Sequence, residues 1–303
     1  MNYHPKRSHA SSAEEIYAKR VAPVNALHIA NDDGRKALER VQQLVIETTR
    51  DAGEVLLLTG APMAGRRETV RQVARAPWLA PVQTTDGRLQ RPFIAIDARA
   101  QSRFDDCLII EALAGISGWP KNSIARHQKE VDRLRAATEA IGTAAHRIIA
   151  ITNAEQMLHG KNFKELDLVA GKIALLASET GASFILTGGS DLLAFVRSRL
   201  DLIGSVSHVP LQSISGTEEF VAMLEAFEQA AGLQPNAALR DDKVVDVILD
   251  FTQRLRGRTA QLLREAVKGA IFDDVDTLSM AHVAKVVDRT PLAVGDNPLA
   301  SLL

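Results

Sequence analysis

Residues 56–69 read Leu56-Leu57-Leu58-Thr59-Gly60-Ala61-Pro62-Met63-Ala64-Gly65-Arg66-Arg67-Glu68-Thr69. The opening apolar run is typical of a strand that is buried on both faces of a parallel sheet. A strand, a glycine, four residues, a second glycine and then a helix form the pattern of a P-loop. In that geometry backbone N–H groups point at phosphate in front of a helix N-terminus. We therefore predict that any nucleotide contacts lie at Gly60, Ala61, Pro62, Gly65, Arg66 and Arg67.

The two residues after the second glycine depart from the P-loop pattern. The pattern has Lys followed by Ser or Thr, whereas this sequence has Arg66 and Arg67. Arg66 keeps the positive charge of lysine but presents it on a wider, planar group. Arg67 replaces the hydroxyl that ligates Mg²⁺ with a second positive charge, and Thr69 lies two positions too late to take over. We expect nucleotide binding to be weakened or lost.

Apolar strand patterns alternate with helical periods before Pro210. Strands are predicted at 54–59, 92–97, 147–151 and 182–188, and helices near 33–51, 67–76, 105–114, 123–141 and 163–180. This alternation indicates an α/β fold with a parallel sheet. Later helical periods lie at 217–231, 242–255, 258–272 and 280–287. We predict a polar arm over 1–24, a P-loop domain over 25–210, a small all-helical lid over 211–290 and a tail over 291–303.

The end of the third predicted strand lacks the acidic residues that ATP hydrolysis requires. In P-loop ATPases an Asp there holds Mg²⁺ and a Glu polarises the attacking water. Here the strand ends in Thr152 and Asn153, neither of which can act as a general base or attract a divalent cation. Glu155 and Glu139 are the candidate substitutes, although their spacing does not recommend them. We therefore expect no catalytic residues and no metal site.

Composition excludes several classes of protein. The net charge of −1 gives no general attraction to nucleic acid or to anionic membranes. The single cysteine, Cys107, excludes an internal disulfide and fits a reducing compartment. No apolar run approaches the roughly 20 residues that span a bilayer, and the N-terminus lacks the apolar core of a signal peptide. We expect a soluble, cytoplasmic protein without membrane contact.

The order of these segments resembles the TniB/TnsC branch of the AAA+ proteins, the ATP-dependent regulators of target selection in DNA transposition. The resemblance covers roughly Asn25 to Lys285. It lies in the loop from Gly60 to Gly65 and in three further segments, at 148–160, at 184–199 and at 252–271. The changes at Arg66, Arg67, Thr152 and Asn153 set this chain apart from the active members of that branch.

The resemblance also implies roles for residues outside the loop. Thr187 would lie where the family senses γ-phosphate, and Arg197 or Arg199 near the family's inter-subunit arginine. Arg256 or Arg258 would lie at the nucleotide-facing turn of the lid. Because the family assembles on duplex DNA, the basic cluster in the lid is a candidate for phosphate contact, with a plain surface or subunit contact as the alternative. Its members are Arg254, Arg256, Arg258, Arg264 and Lys268.

Three hypotheses follow from the sequence. The first is a catalytically degenerate AAA+ regulator or scaffold in transposition that requires no cofactor. Its expected partners are further copies or AAA+ relatives, a transposase or other mobile-element protein, and double-stranded DNA. The second is a divergent active ATPase that uses Arg66 and an acidic residue from a partner subunit. The third is a nucleotide-independent adaptor in a defence or signalling assembly.

Overall fold

The computed structural model describes residues 14–29, 31–47, 53–85, 87, 89–98 and 130–289. The chain forms two compact units, one from Ala30–Gln212 and the other from Met1–Ile29 together with Ser213–Leu303. The helix predicted at 105–114, which contains Cys107, and residues 123–129 of the helix predicted at 123–141 lie outside the described residues. The domain limits that we infer from the sequence stay predictions.

The described strands and helices are as follows. The strands are β1 Val55–Thr59, β2 Val82–Gln83, β3 Leu89–Gln90, β4 Phe93–Asp97, β5 Ile148–Thr152, β6 Ser183–Gly188 and β7 Val206–Pro210. The helices are α1 Ala22–Ala26, α2 Asp32–Glu47, α3 Arg66–Ala74, α4 Glu130–Ala144, α5 Phe163–Thr180, α6 Ser190–Arg197, α7 Leu200–Ile203, α8 Thr217–Ala231, α9 Asp242–Phe251, α10 Arg256–Phe272 and α11 Met280–Arg289. A π-helical turn, Tyr17–Val21, leads into α1.

Five strands form one parallel sheet in the order β4-β5-β6-β1-β7. The three central strands are β5, β6 and β1, and every residue in them is buried. A strand covered on both faces has no polar face, so its sequence is apolar almost throughout. The structure confirms the predicted α/β fold with a parallel sheet.

Each face of the sheet is covered by its own set of helices. On one face, Leu57 and Phe184 pack with side chains from α4, α5 and α6. On the other face, Leu56 and Leu58 pack with side chains from α2 and α3. Successive strand residues point to opposite faces, so β1 supplies apolar groups to both cores and is held between them.

The edge strand β7 was not predicted. Its sequence, Val206-Ser207-His208-Val209-Pro210, mixes polar and apolar residues, and none of them is fully buried. An edge strand pairs on one side only, so it needs fewer apolar residues, and Pro210 is tolerated at such a position. β7 nevertheless pairs with β1 along its whole length, from Val206 opposite Val55 to Pro210 opposite Thr59.

The second unit is all-helical, as the sequence predicts for the region after Pro210. Its core contains Phe220 and Phe227 of α8 and Leu263 of α10, together with Val21 and Val24 from the N-terminal segment. Two valines three positions apart lie on the same side of a helix, which explains how a mostly polar segment packs here. None of the helices in the described part of the chain has the length and apolar character needed to cross a bilayer.

Candidate nucleotide site

The segment between β1 and α3 has the backbone form of a phosphate loop. Gly65 adopts a φ of 101°, a conformation that L side chains rarely adopt, and it lies directly before the first residue of α3. No side chain caps this helix, and its first backbone hydrogen bond is from Thr69 N–H to Gly65 O at 2.9 Å. The N–H groups before Thr69 therefore have no partner within the helix, as in an anion-binding helix N-terminus.

Gly60 and Gly188 bring the loop against the neighbouring strand. The Gly60 N–H donates to Gly188 O at 3.2 Å. A Cβ at Gly60 would lie 3.0 Å from both Leu211 O and the Ala64 Cβ. The first glycine of the motif is therefore required by close packing, whereas the second, Gly65, is required by its backbone angle.

Arg66 points into the protein and pairs with Glu155. Its Nη1 donates to Glu155 Oε1 at 3.1 Å, and both side chains are mostly buried, with exposures of 13% and 16%. The other carboxylate oxygen, Glu155 Oε2, is buried and has no hydrogen-bond partner among the described residues. The charge at the position of the P-loop lysine is therefore neutralised by a carboxylate just beyond β5.

Arg67 pairs with a carboxylate at the end of a different strand. Its Nη2 donates to Asp97 Oδ2 at 2.7 Å, and Asn153 Nδ2 donates to Asp97 Oδ1 at 2.9 Å. Asp97 is the last residue of β4 and lies opposite Thr152 of β5 in the sheet register. The sheet thus has a carboxylate at the level of the expected acidic position, but on the adjacent strand.

Thr152, Asn153 and Thr187 make internal hydrogen bonds. Thr152 Oγ1 donates to Ile96 O at 3.2 Å, and the Asn153 N–H donates to Thr187 Oγ1 at 3.3 Å. Asn153 has a φ of 53°, a left-handed conformation that Asn tolerates better than most residues. Thr187 is 1% exposed, so its predicted role in sensing γ-phosphate stays a prediction.

The sequence pattern does not single out Asp97, and its spacing does not recommend Glu155 as a substitute. A visible signal for Asp97 is its place as the final, charged residue of an otherwise apolar strand. Its importance depends on the register between β4 and β5, which no local pattern reveals. Glu139, the other substitute considered, lies on the exposed face of α4 and pairs with Arg135.

Several solved structures have a similar fold. Cdc6p from Pyrobaculum aerophilum matches with a TM-score of 0.60 and 14% identity, over 88% of this chain and 70% of that chain. The ORC1 protein of Aeropyrum pernix, in complex with DNA, matches with a TM-score of 0.60 and 16% identity, over 90% and 73%. The RuvB Holliday junction branch migration motor of Thermotoga maritima matches with a TM-score of 0.51 and 12% identity, over 86% and 70%.

The chain has an AAA+-type P-loop fold. At these identities the likeness establishes the fold alone. No model of a protein family matches the sequence, and no curated protein does.

The two arginines predicted near the inter-subunit position of AAA+ proteins have different surroundings. Arg199 is 4% exposed, its Nε donates to Asp167 Oδ1 at 2.9 Å, and its guanidinium lies over the rings of Phe163 and Phe195. Arg197 is exposed at the end of α6. An arginine that reaches a neighbouring subunit must be accessible, so the predicted role now rests on Arg197.

His208 links the edge strand to the end of β1. Its Nε2 lies 2.7 Å from Thr59 Oγ1, one residue before the loop. Partial burial and the charge of Arg197 lower the pKa of His208 below its ordinary value. The imidazole is therefore neutral at neutral pH, and it adds no positive charge beside the loop.

The basic residues of the helical unit are mostly engaged within that unit. Arg254 pairs with Asp246 at 3.1 Å and with Asp250 at 3.6 Å. Arg256 is nearly buried and pairs with Glu219.

The remaining members of the basic cluster differ in how free they are. Arg264 Nε donates to Val24 O at 3.4 Å, and Lys268 pairs with Glu265 at 2.8 Å. Arg258, by contrast, makes no ion pair with a described residue. Arg258 is therefore the member of the basic cluster at which the predicted phosphate contact is simplest to test.

Proposed function

We propose that this chain is a catalytically degenerate AAA+ protein that acts as a regulator or scaffold in DNA transposition and does not hydrolyse ATP. The observation that carries the proposal is the pair of ion pairs at the loop, Arg66 with Glu155 and Arg67 with Asp97. The transposition context rests on the resemblance of the sequence to the TniB/TnsC branch.

Phosphoryl transfer at a P-loop needs a divalent cation and an oriented water molecule. The positions that would provide them hold Arg67, Thr152 and Asn153. The carboxylates beside those positions, Glu155 just beyond β5 and Asp97 at the end of β4, are already paired with guanidinium groups. A carboxylate that pairs with Arg is held in that pair and is not placed to accept a proton from water.

A turnover assay tests the loss of hydrolysis. We expect phosphate release from ATP by the purified full chain to equal that of the Arg66→Ala variant, with Mg²⁺ and with EDTA alike, because neither protein positions a metal or a base. Arg71→Ala is the matched control, since Arg71 lies on the same helix and its ion pair with Glu68 is exposed. Mg²⁺-dependent turnover by the wild type that Arg66→Ala abolishes would contradict the proposal.

One observation favours the second candidate, a divergent active ATPase. Glu155 Oε2 is buried without a partner among the described residues, at a carboxylate that touches Arg66. If a ligand drew Arg66 away, Glu155 would become a candidate general base. Under that hypothesis, turnover is lost in Glu155→Gln and is kept in Glu139→Gln, whose carboxylate is on the exposed face of α4.

A DNA-binding assay separates the transposition proposal from a nucleotide-independent adaptor without a DNA role. We expect the full chain to shift duplex DNA with an affinity that falls as salt rises, because phosphate contacts release counterions. Arg258→Ala is expected to reduce the slope of log affinity against log salt by about 1.

The control for this assay is Arg254→Ala, because Arg254 already pairs with two aspartates. The absence of any shift in the wild type would argue for the adaptor, whereas an unchanged slope in Arg258→Ala would exclude Arg258 as a phosphate contact. The proposed partners, which are further copies or AAA+ relatives and a transposase or other mobile-element protein, can be sought by co-purification of the full chain.

A further inference from the structure

The AAA+ fold implies a magnesium ion beside the phosphate loop, and the residues present do not fit one. At such a site the ion is held by the hydroxyl after the lysine and by a carboxylate at the end of the neighbouring strand. Here those two positions hold Arg67 and Thr152, and the Thr152 hydroxyl donates to Ile96 O at 3.2 Å. Thr69 Oγ1 is turned back to Gly65 O at 3.3 Å. Among the described residues, no group of three or more His, Cys, Asp and Glu side chains is placed to hold a metal.

We propose that the Arg67 guanidinium takes the place of the divalent cation, so that the loop binds a nucleoside diphosphate or triphosphate without metal. This inference rests on the proposed function, since it supposes that the loop of a non-hydrolysing AAA+ protein still holds a ligand. The ligand would have a structural role, because the site lacks the groups that drive hydrolysis.

The position of Arg67 supports this assignment. Arg67 is the second residue of α3 and lies in its first turn, next to the uncapped N–H groups at the end of the loop. Its guanidinium has five donors, and the structure gives it one partner among the described residues, Asp97. The side chain is 56% exposed, so its other donors can reach an entering phosphate. Asn153 binds the second oxygen of Asp97 and so fixes the carboxylate that holds Arg67.

The charges around the loop also support binding without a metal ion. In an active P-loop site a lysine and Mg²⁺ face two carboxylates, and their charges sum to about +1. Here Arg66 and Arg67 face Glu155 and Asp97, and the four charges sum to zero. A polyphosphate must therefore compete with Glu155 and Asp97 for the two arginines. A divalent cation added to the site would lie beside the Arg67 guanidinium, which repels it and provides no ligand.

Calorimetric titration of the full chain with ADP, in EDTA and in millimolar MgCl₂, tests the inference. We expect the wild-type Kd to differ by less than about twofold between the two conditions, since no ligand for the metal is present. Arg67→Ser restores the hydroxyl and releases Asp97 from its guanidinium partner. In this variant we expect Mg²⁺ to tighten ADP binding by about tenfold or more, and Mn²⁺ to give a bound signal in electron paramagnetic resonance.

Three further variants control this experiment. Arg67→Lys keeps the positive charge and should remain independent of metal. Arg71→Ser makes the same substitution on the exposed side of α3 and should behave as the wild type. Asp97→Asn added to Arg67→Ser should abolish the gained metal dependence, which places the new ion at Asp97. If Arg67→Ser does not fold, the comparison of wild type with Arg67→Lys still measures the metal dependence.

Two results would overturn the inference. One is a wild-type Kd for ADP that Mg²⁺ improves by about tenfold or more, and the other is no ADP binding by the wild type in either condition. Both can occur without any ATP turnover, in which case the proposed function survives and this inference fails. Mg²⁺-dependent turnover of ATP would instead contradict the proposed function.

Discussion

Arg240→Met is expected to lower the free energy of unfolding of the helical unit by about 3 kcal/mol, because it leaves a buried carboxylate without its counter-charge. Glu228 of α8 is 2% exposed within an apolar core. Arg240 Nη2 donates to Glu228 Oε2 at 2.6 Å, and its Nη1 donates to Asn236 O at 2.9 Å. The hydrogen bond to Glu228 raises the pKa of Arg240 above its ordinary value, so the guanidinium keeps its positive charge.

Urea unfolding followed by far-ultraviolet circular dichroism measures this loss. The matched control is Arg254→Met in the same unit, whose partners Asp246 and Asp250 are well exposed. We expect this control to change stability by less than about 1 kcal/mol. The double variant Glu228→Gln with Arg240→Met should recover part of the loss, because the neutral amide tolerates burial better than a carboxylate. Equal effects of the two Met substitutions would show that burial of Glu228 is not the cause.

Ion pairing distinguishes the arginines of the helical unit from one another. Sequence alone treats Arg254, Arg256 and Arg258 as equivalent members of a basic cluster. In the structure, Arg254 and Arg256 form ion pairs with acidic residues of their own unit, whereas Arg258 has no ion pair with a described residue. An arginine without an ion pair can contact phosphate without breaking an existing interaction. Arg258 is therefore chosen for testing because it lacks an ion pair, and not because it belongs to a basic cluster.

The fold was predictable because its signals are local. Helix α5 begins and ends where the sequence predicts, from Phe163 to Thr180. Asn162 and Glu165 form a capping box at its start, and Gly181 adopts the left-handed conformation at its end. The apolar runs of β1, β5 and β6 likewise reflect burial on both faces. The sequence does not predict β7, because an edge strand does not need a continuous apolar run.

The site was only half predictable, for a different reason. Gly60, Gly65, Arg66 and Arg67 are adjacent in sequence, and their pattern identifies the loop. The carboxylates that pair with the two arginines come from other segments of the chain, with Asp97 placed by the register of β4 on β5 and Glu155 by the short helical turn Ala154–Met157. Contacts between strands exist only in the folded sheet. The sequence therefore shows that the P-loop hydroxyl and the strand-end acidic residues are absent, but it does not show that Asp97 and Glu155 pair with the two arginines.

Gly188→Ala is expected to lower the free energy of unfolding of the Ala30–Gln212 unit by about 2–3 kcal/mol, because the added methyl overpacks the core. A Cβ at this position would lie 2.5 Å from Glu155 Oε2 and 2.6 and 2.7 Å from Leu192 side-chain atoms. Gly188 is buried at the end of β6, and its carbonyl accepts from the Gly60 N–H. The substitution therefore strains the core and also displaces Glu155 from Arg66.

The adjacent glycine provides the control. A Cβ at Gly189 meets no atom within 4 Å, and its φ of −93° suits any residue. We expect Gly189→Ala to cost less than about 1 kcal/mol, the scale of a changed helix cap. Tryptophan fluorescence during urea unfolding reports on this unit through Trp78, which packs against its core.

A third variant separates the two contacts of the added methyl. Glu155→Ala removes the carboxylate, and with it the ion pair to Arg66, so the effect of Gly188→Ala is measured against Glu155→Ala alone. In that background only the clash with Leu192 remains, and the added methyl should cost less than in the wild type. No cost of the methyl in the Glu155→Ala background would mean that Leu192 moves aside. An undiminished cost would mean that Glu155 moves aside in the wild type. Equal stability of Gly188→Ala and Gly189→Ala would contradict the close packing of Glu155 against β6, and with it the fixed ion pair to Arg66 from which the loss of hydrolysis is argued.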